Sequence, residues 1–418
     1  MNADYRDSEK GQAIVYLVLG LVVFLGFVAL AIDGGMALAD RRHSQNGADA
    51  ASLAGAGAAA LLLEQGPTEC YDYWVCDEDA YYMDTAESAA VSRASTNNFS
   101  IIIDDLSAHN GVIAQCGEVS YPWGFTDKFI DVTVDISATT QTNFAHLLFP
   151  NALHNEVDAI TRIHPRQPIG FGNAIVALNP AGCSGGQNGM NVYGTGTTYI
   201  TGGGIFSNGC LRGNGTFTVV ITSALALGDE IIPGDWDNWD PDPEPITYTI
   251  PESNYDIVMP NCSHPDANIV NSLPATMDPG LYCITRPQGL RINNNENITG
   301  NGVTIVVTDG PLTINGTPVL HLTAPGDTPD PDPAVPGLLI YLPPTNHNTV
   351  TMNGTEDSFF AGMIYAPGAN IKLNGTGGNS YLGQIIGWNV EVGGTNDTTV
   401  IYDACTGFTR PPSIELSK

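Results

Sequence analysis

The residues best suited to hold an ion are Asp235, Asp237 and Asp240, in the stretch Asp235-Trp236-Asp237-Asn238-Trp239-Asp240. Carboxylates at every second or third position supply the hard oxygen ligands that calcium takes. A calcium loop of the EF type also needs glycine at its sixth position and glutamate at its twelfth. Counted from Asp235, those places hold Asp240 and Ile246. The competing reading is a solvated loop stiffened by Pro241, Pro243 and Pro245. Calcium is therefore the one candidate ion, and no other cofactor is expected.

No HExxH helix and no P-loop occurs, and the sequence names no catalytic residue. Between Ile169 and Cys405 the only cations are Arg212, Arg286, Arg291 and Lys372, at unrelated phases of the local pattern. The chain is read as not an enzyme. A glycan-acting enzyme stays open as an alternative, because the paired carboxylates of a glycosidase, about 5 to 9 Å apart, leave no linear signature.

The eight cysteines form no CxxC, and no histidine stands at zinc-finger spacing from them. An even count in a chain with an export anchor reads as disulfides in an oxidising compartment. Eight cysteines allow 105 pairings, and the local ones are favoured: Cys183 with Cys210, and Cys262 with Cys283. Asn-x-Ser/Thr sequons include Asn214, Asn315, Asn353 and Asn374, each followed by Gly-Thr. They are glycosylation candidates if exposed, although Asn-Gly is also what a tight corner selects.

These residues need an element to carry them, and the dominant one is Glu9 to Glu64. The unbroken apolar run from Ala13 to Ile32 is about 30 Å long as a helix, the thickness of a bilayer's hydrocarbon core. The pattern continues past Asp33-Gly34-Gly35 and Arg41-Arg42 into an alanine-rich stretch ending at Leu63. Gly47, Ala51, Gly55 and Ala59 recur every four residues, a small-residue stripe on which another helix can approach closely. One continuous helix is expected to about Leu63, kinked or locally melted at Asp33-Gly34-Gly35, where glycine costs about 1 kcal/mol against alanine.

The landmarks Glu9-Lys10-Gly11-Gln12, Asp33-Gly34-Gly35, Arg41-Arg42, Gln45-Asn46, Ala48-Asp49-Ala50-Ala51 and Ala54 resemble the N-terminal module of TadE/TadG-like tight-adherence (Flp-type) pilus proteins. The resemblance covers roughly the first 60 residues. It implies a pilin-like protein with its N-terminus in the cytoplasm and its head outside. One departure from type IV prepilins is that the residue five beyond Gly11 is Tyr16, where those proteins carry glutamate.

The composition agrees with an outside location. Lys and Arg total 14 against 44 acids, a net charge of -30, which argues against a nucleic-acid partner. Glycine at 47 and proline at 28 favour turns and short strands.

After Gln65-Gly66-Pro67, residues 66–168 show a helical Asp84 to Asn97, a strand-like Phe129 to Ile136, a short helical Thr142 to Phe149 and a strand-like Glu156 to Ile163. Such a mixture makes a small α+β head. From Ile169 a unit recurs in which an apolar residue, then usually a polar one, precedes glycine. It is seen at Ile200-Thr201-Gly202, Ile298-Thr299-Gly300, Ile314-Asn315-Gly316, Met352-Asn353-Gly354, Leu373-Asn374-Gly375 and Val392-Gly393-Gly394. Steps of 16, 38, 21 and 19 residues from Gly300 onward, with the 38 taken as double, point to the coil of a β-solenoid. An Asn/Gly-rich β-sandwich is the alternative.

The expected fold class is therefore α+β plus all-β. Its parts are an N-terminal tip (1–12), a transmembrane or filament-core helix (13–64), an α+β head (66–168), a β-solenoid or β-helix (169–405) and a C-terminal tail (406–418). The expected function is a pilin-like structural subunit of a cell-surface filament. Its implied partners are copies of itself through the N-terminal helix, the pilus assembly machinery, and the cytoplasmic membrane before assembly. The alternative is a monomeric membrane-anchored adhesin.

Overall fold

The computed structural model describes residues 10–417 except 66–70, 72–73, 76, 78–79, 108, 122–124, 143, 145–152, 186–187, 229, 252–254, 294–295, 317, 327–331, 355–356, 376–378 and 405–406. Cys70, Cys76, Cys405, most of the helix expected at Thr142 to Phe149 and residues 1–9 of the tip lie outside the described residues.

Helix α1 spans Lys10–Gln65, about 84 Å at 1.5 Å per residue. It passes through Asp33-Gly34-Gly35 without interruption, so the local melting expected there does not occur. The physical reason is tertiary. Asp33 is only 3% exposed, and its Oδ2 accepts a hydrogen bond from the Phe144 backbone N–H at 3.0 Å. That contact holds the helix to the base of the head where the glycines would otherwise weaken it.

The head pairs α1 with α2 (Tyr81–Thr96) on one side of a sheet. Its strands are β1 (Ile102–Ile103), β2 (Asn110–Ser120), β3 (Thr126–Thr140) and β4 (Leu153–His164). The period-two pattern of β3 sends Ile130, Val132, Val134 and Ile136 into the core, where all four are fully buried. The sheet order is β1-β2-β3-β4 and then the C-terminal strand, Ser413–Leu416. Residues 406–418 were expected as a tail. In the structure Ser413–Leu416 is an edge strand of the head, antiparallel to β4 with Ile414 opposite Ile163. The solenoid is thus inserted into the head between β4 and the head's own last strand.

The solenoid has three faces of parallel strands. Its axial order shows how the chain is wound. On the first face, Glu244–Ile246, Ala224–Leu227, Ile205–Ser207 and Ile175–Ala177 stack in reverse chain order. The stack continues with Ile385–Gly394, Met363–Gly375, Leu338–Tyr341, Val303–Val307, Gly280–Ile284 and Asn268–Ile269. The chain therefore starts mid-stack, winds to one end, crosses to the far end, and winds back until Ile385 pairs with Ile175.

The described parts of the crossing segment, residues 247–251 and 255–267, lie over the outside of the first face. The Ile250 N–H donates to Asn208 Oδ1 at 2.7 Å, the Tyr365 hydroxyl donates to the Tyr255 carbonyl at 2.5 Å, and Cys262 is bonded to Cys283. This gives the first face cores on both sides. Ile305 and Val307 sit in the inner cluster, while Val306 packs outward with Tyr341, Tyr365 and Ile250. The strand Val303–Val307 is accordingly buried at every position, as strands covered on both faces are.

On the second face Ile314, Met352, Leu373 and Val392 are in register on adjacent coils. The units at Ile298 and Ile200 belong to the third face. The 16-residue step joined two different faces. The 38-residue step is one coil enlarged by the acidic, proline-rich insertion near 326–336, and the double-step reading is corrected accordingly.

Candidate functional site

Two halves of α1 have different surroundings. From Ile14 to Ile32 the side chains are solvent-facing, including Tyr16, Leu17, Phe24, Phe27 and Leu30. Lys10 to Ile32 extends about 34 Å, matching the hydrocarbon core of a bilayer. It is long and apolar enough to cross a membrane. From Asp33 onward one side of the helix is packed on the head.

The stripe Gly47, Ala51, Gly55 and Ala59 lies in this packed half. Ala51 and Ala59 are fully buried in the head core, with Ala86, Ala90, Val132 and Val157 in the same cluster. A Cβ on Gly55 would lie 2.7 Å from the Ala86 carbonyl oxygen and 3.1 Å from Val132 Cγ1. A Cβ on Gly47 would lie 2.4 Å from the Phe99 ring. The stripe does admit a second helix, but that helix is α2 of the same chain. The expectation that it packs against neighbouring copies is corrected. Small residues are needed here because α1, α2 and the sheet converge on one line.

Polar contacts lock the same half. Ser52 and Thr161 hydroxyls meet at 2.8 Å inside the core, and Gln45 Nε2 donates to the Asp158 carbonyl at 3.0 Å. Buried hydroxyls that satisfy each other keep the helix in one register on β4.

Two crossings join head to solenoid: Gln167–Pro168 leaving β4, and Thr409–Arg410 returning antiparallel beside it. A cleft of about 480 Å³ opens at this junction, lined by Phe125, Asp127, His164, Phe171, Arg410 and Glu415 among others. His164 Nδ1 is 3.2 Å from Asp127 Oδ1, and its Nε2 is 3.5 Å from Glu415 Oε1. The hydrogen bond to Asp127 raises the His164 pKa above its ordinary value, against the opposing effect of burial. Beside it, Arg162 makes a two-pronged pair with Asp131 at 2.8 Å and lies over the Phe129 ring.

The remaining candidates are dispersed. Cys183 is bonded to Cys210, tying together two neighbouring coils, and Cys116 is disulfide-bonded too. Loops of this size contribute about 3 kcal/mol each through the unfolded state. Asp235 caps the short 3₁₀ turn Trp236–Asn238, its side chain accepting from the Asp237 N–H. Asp240 follows on the strand Trp239–Asp240. Among the described residues, no group of three or more acids, histidines or cysteines is arranged to hold a metal.

Asn214 is exposed on the second face. Asn315, Asn353 and Asn374 form a ladder running across coils. Asn374 Nδ2 donates to Asn353 Oδ1 at 2.6 Å, Asn353 Nδ2 donates to Asn315 Oδ1 at 2.8 Å, and the Tyr193 hydroxyl donates to Asn374 Oδ1. Stacked amides of this kind bond along the solenoid axis as coil follows coil. Glycosylation of Asn353 or Asn374 would leave a single Nδ2 hydrogen where the ladder already uses one of the two.

One spelling escaped the motif reading. Gly182-Cys183-Ser184-Gly185-Gly186 fits G-x-S-x-G. In α/β-hydrolases that pattern places serine on a strand-to-helix elbow. Here Ser184 lies in the 3₁₀ turn Cys183–Gly185 beside a disulfide, so the elbow geometry is missing.

Comparison with known proteins gives two family matches. The TadE/G-like Flp pilus-assembly domain matches residues 11–59, the bare half of α1 and most of its packed half. A domain of unknown function (DUF7305) matches residues 288–406, within the part of the solenoid that winds back to the middle. No curated protein matches the chain. Among solved structures, the Shewanella frigidimarina ice-binding protein_1 DUF3494 domain aligns at 15% identity over 55% of this chain and 94% of its own, with a TM-score of 0.30. At that score the likeness carries no conclusion about this chain.

Proposed function

We propose that this protein is a pilin-like structural subunit of a tight-adherence filament on the cell surface, with its solenoid turned outward for contact or adhesion. The observation that carries this is the bare segment Ile14–Ile32. It is apolar on every side and membrane-length, it projects from a folded head, and it lies within the matched pilus-assembly module. Held in the cytoplasmic membrane, such a segment satisfies its own backbone and stores the subunit. Released by the assembly machinery, the same surface buries against neighbouring copies. A rod alone supplies the heterologous contact that open helical assembly requires. No catalytic role is assigned, and no cofactor or nucleic acid is needed for this function.

A second reading has an observation in its favour. The small-residue stripe is occupied within the protomer, which leaves only a membrane-length segment unpartnered. That is sufficient for a monomeric anchored adhesin. Shearing cells that express the protein, pelleting the released material and imaging it separates the two. Filaments containing the full-length chain support the subunit reading. Protein that stays entirely in the membrane and dissolves in detergent as a monomer supports the anchor.

A further inference from the structure

At the edge where the first and second solenoid faces meet, three asparagines stack on successive coils. Asn179 Nδ2 donates to Asn389 Oδ1 at 2.8 Å, and Asn389 Nδ2 donates to Asn370 Oδ1 at 2.7 Å. The Gly189 N–H also donates to Asn389 Oδ1, which fixes which way round that amide sits. Asn179 and Asn389 are buried, so the stack is a rigid built element. It ends at Asn370, which is partly exposed and whose Nδ2 has no protein acceptor among the described residues.

This stack lines a groove of about 670 Å³, a size that holds a small ligand. Trp388, 38% exposed, lines the same groove. His347 Nδ1 donates to the Gly368 carbonyl at 3.0 Å, so the neutral imidazole presents Nε2 as an acceptor. Asp256 adds an exposed carboxylate. The groove thus combines a flat apolar ring, a fixed amide donor and two acceptors. Among the described residues, no lysine or arginine lines it.

We propose that this groove binds a neutral glycan. A pyranose carries an apolar C–H face that stacks on an indole, and vicinal hydroxyls that donate and accept at once. Asp256 and the net charge of -30 disfavour anionic sugars and phosphates. Among the described residues lining the groove, Asp256 is the one carboxylate, whereas glycoside hydrolysis uses two. The role proposed for the groove is binding. This deepens the reading of the solenoid as the outward contact surface and rests on it.

The test uses the full-length protein in a detergent without a sugar headgroup. Cellotriose, maltotriose and triacetylchitotriose are titrated by saturation-transfer NMR up to about 10 mM, with sialyllactose as the anionic control. At least one neutral trisaccharide should bind, and sialyllactose should not. Trp388→Ala should weaken binding about ten-fold or more, and Asn370→Ala about three-fold or more. Trp388→Phe should retain part of the affinity. Trp236→Ala, at an exposed tryptophan in the acidic loop, should change nothing. Unchanged melting of Trp388→Ala establishes that the fold survives. The proposal is overturned if none of the three neutral sugars binds, if sialyllactose binds better, or if binding survives Trp388→Ala. Shear fractions from cells carrying Trp388→Ala are imaged in parallel. Their filaments should persist, so loss of sugar binding and loss of filament assembly are read separately.

Discussion

The two halves of α1 are one uninterrupted helix, yet they solve different problems. Ile14 to Ile32 is built mostly from Leu, Val, Ile and Phe, whose bulk faces outward all round. Ala48 to Ala60 is built almost wholly from Ala and Gly, and one side of it lies fully buried against α2 and the sheet. Large side chains fill a soft surrounding such as lipid or neighbouring rods. Small ones let three backbones converge on a fixed line. Side-chain volume falls where the head begins, and charged and polar residues appear there from Asp33 onward.

The largest expected effect tests that boundary directly. Gly55→Leu would put a side chain into the Ala86 carbonyl and Val132, with no flexible neighbour to yield. It should destabilise the head by about 3 kcal/mol or more, as overpacking against a buried polar group does. Limited proteolysis of the full chain would then show β2 to β4 cut while the solenoid resists. A normally folded head in Gly55→Leu would mean that the stripe belongs to contacts between copies after all.

The complementary change lies in the bare half. Val23→Asp should leave the head's proteolytic resistance unchanged while opposing membrane insertion by about 2.5 to 3.5 kcal/mol. Membrane flotation reads the outcome. If the head unfolds as well, the two halves are coupled and the contrast drawn between them fails.

The stripe's spacing was readable because a four-residue period of small residues has a single physical meaning, close approach. Its partner was not readable. Nothing in Gly47, Ala51, Gly55 and Ala59 distinguishes a helix of the same chain from that of a neighbour. Strand β3 was legible from strict alternation at Ile130 to Ile136, and β4 was read as strand-like at Glu156 to Ile163 although Ala159-Ile160 and Thr161-Arg162 break the period. The C-terminal strand was not, since Ser-Ile-Glu-Leu is too short to carry a period. The solenoid emerged from the Asn-Gly corners at 315, 353 and 374. Its winding order stayed hidden, because every coil interface offers the same parallel hydrogen bonds. Pairing Ile385 with Ile175 therefore looks, in sequence, like any other coil contact. The Trp388 groove needs residues from separate coils and from the crossing segment, so no local window contains it.

A smaller effect is expected at the seam between the halves. Asp33→Ala leaves the Phe144 N–H without this acceptor and should cost about 1 to 3 kcal/mol. Asp33→Asn keeps an oxygen in place and should cost less. Hydrogen exchange at Phe144 and along Gly34 to Asp40 is the readout. If both variants behave like the native chain, Asp33 does not hold the helix at the point where it leaves the head, and the boundary rests on packing alone.

The smallest effect concerns the other attachment in the molecule, where the solenoid's return crossing meets the head. His164 bridges Asp127 on β3 and Glu415 on the C-terminal strand, so its charge helps to hold that strand on the sheet. Its folded pKa is raised, first by the Asp127 hydrogen bond, from an unfolded value near 6.5. A raised pKa means that the folded state binds the proton more tightly. The stabilisation is therefore fully present below about pH 6.5 and is lost as pH rises through the higher folded value. Glu415 is largely solvated, which keeps the contribution under about 1 kcal/mol. Hydrogen exchange of Ser413 to Leu416, corrected for the intrinsic pH dependence of exchange, should show protection falling as pH is raised from 5 to 8. In His164→Gln, a side chain that cannot charge, the corrected protection should be flat across that range. A native profile that is already flat, or one that rises with pH, would remove His164 from the clamp and leave strand pairing with β4 as the sole hold on the chain's end.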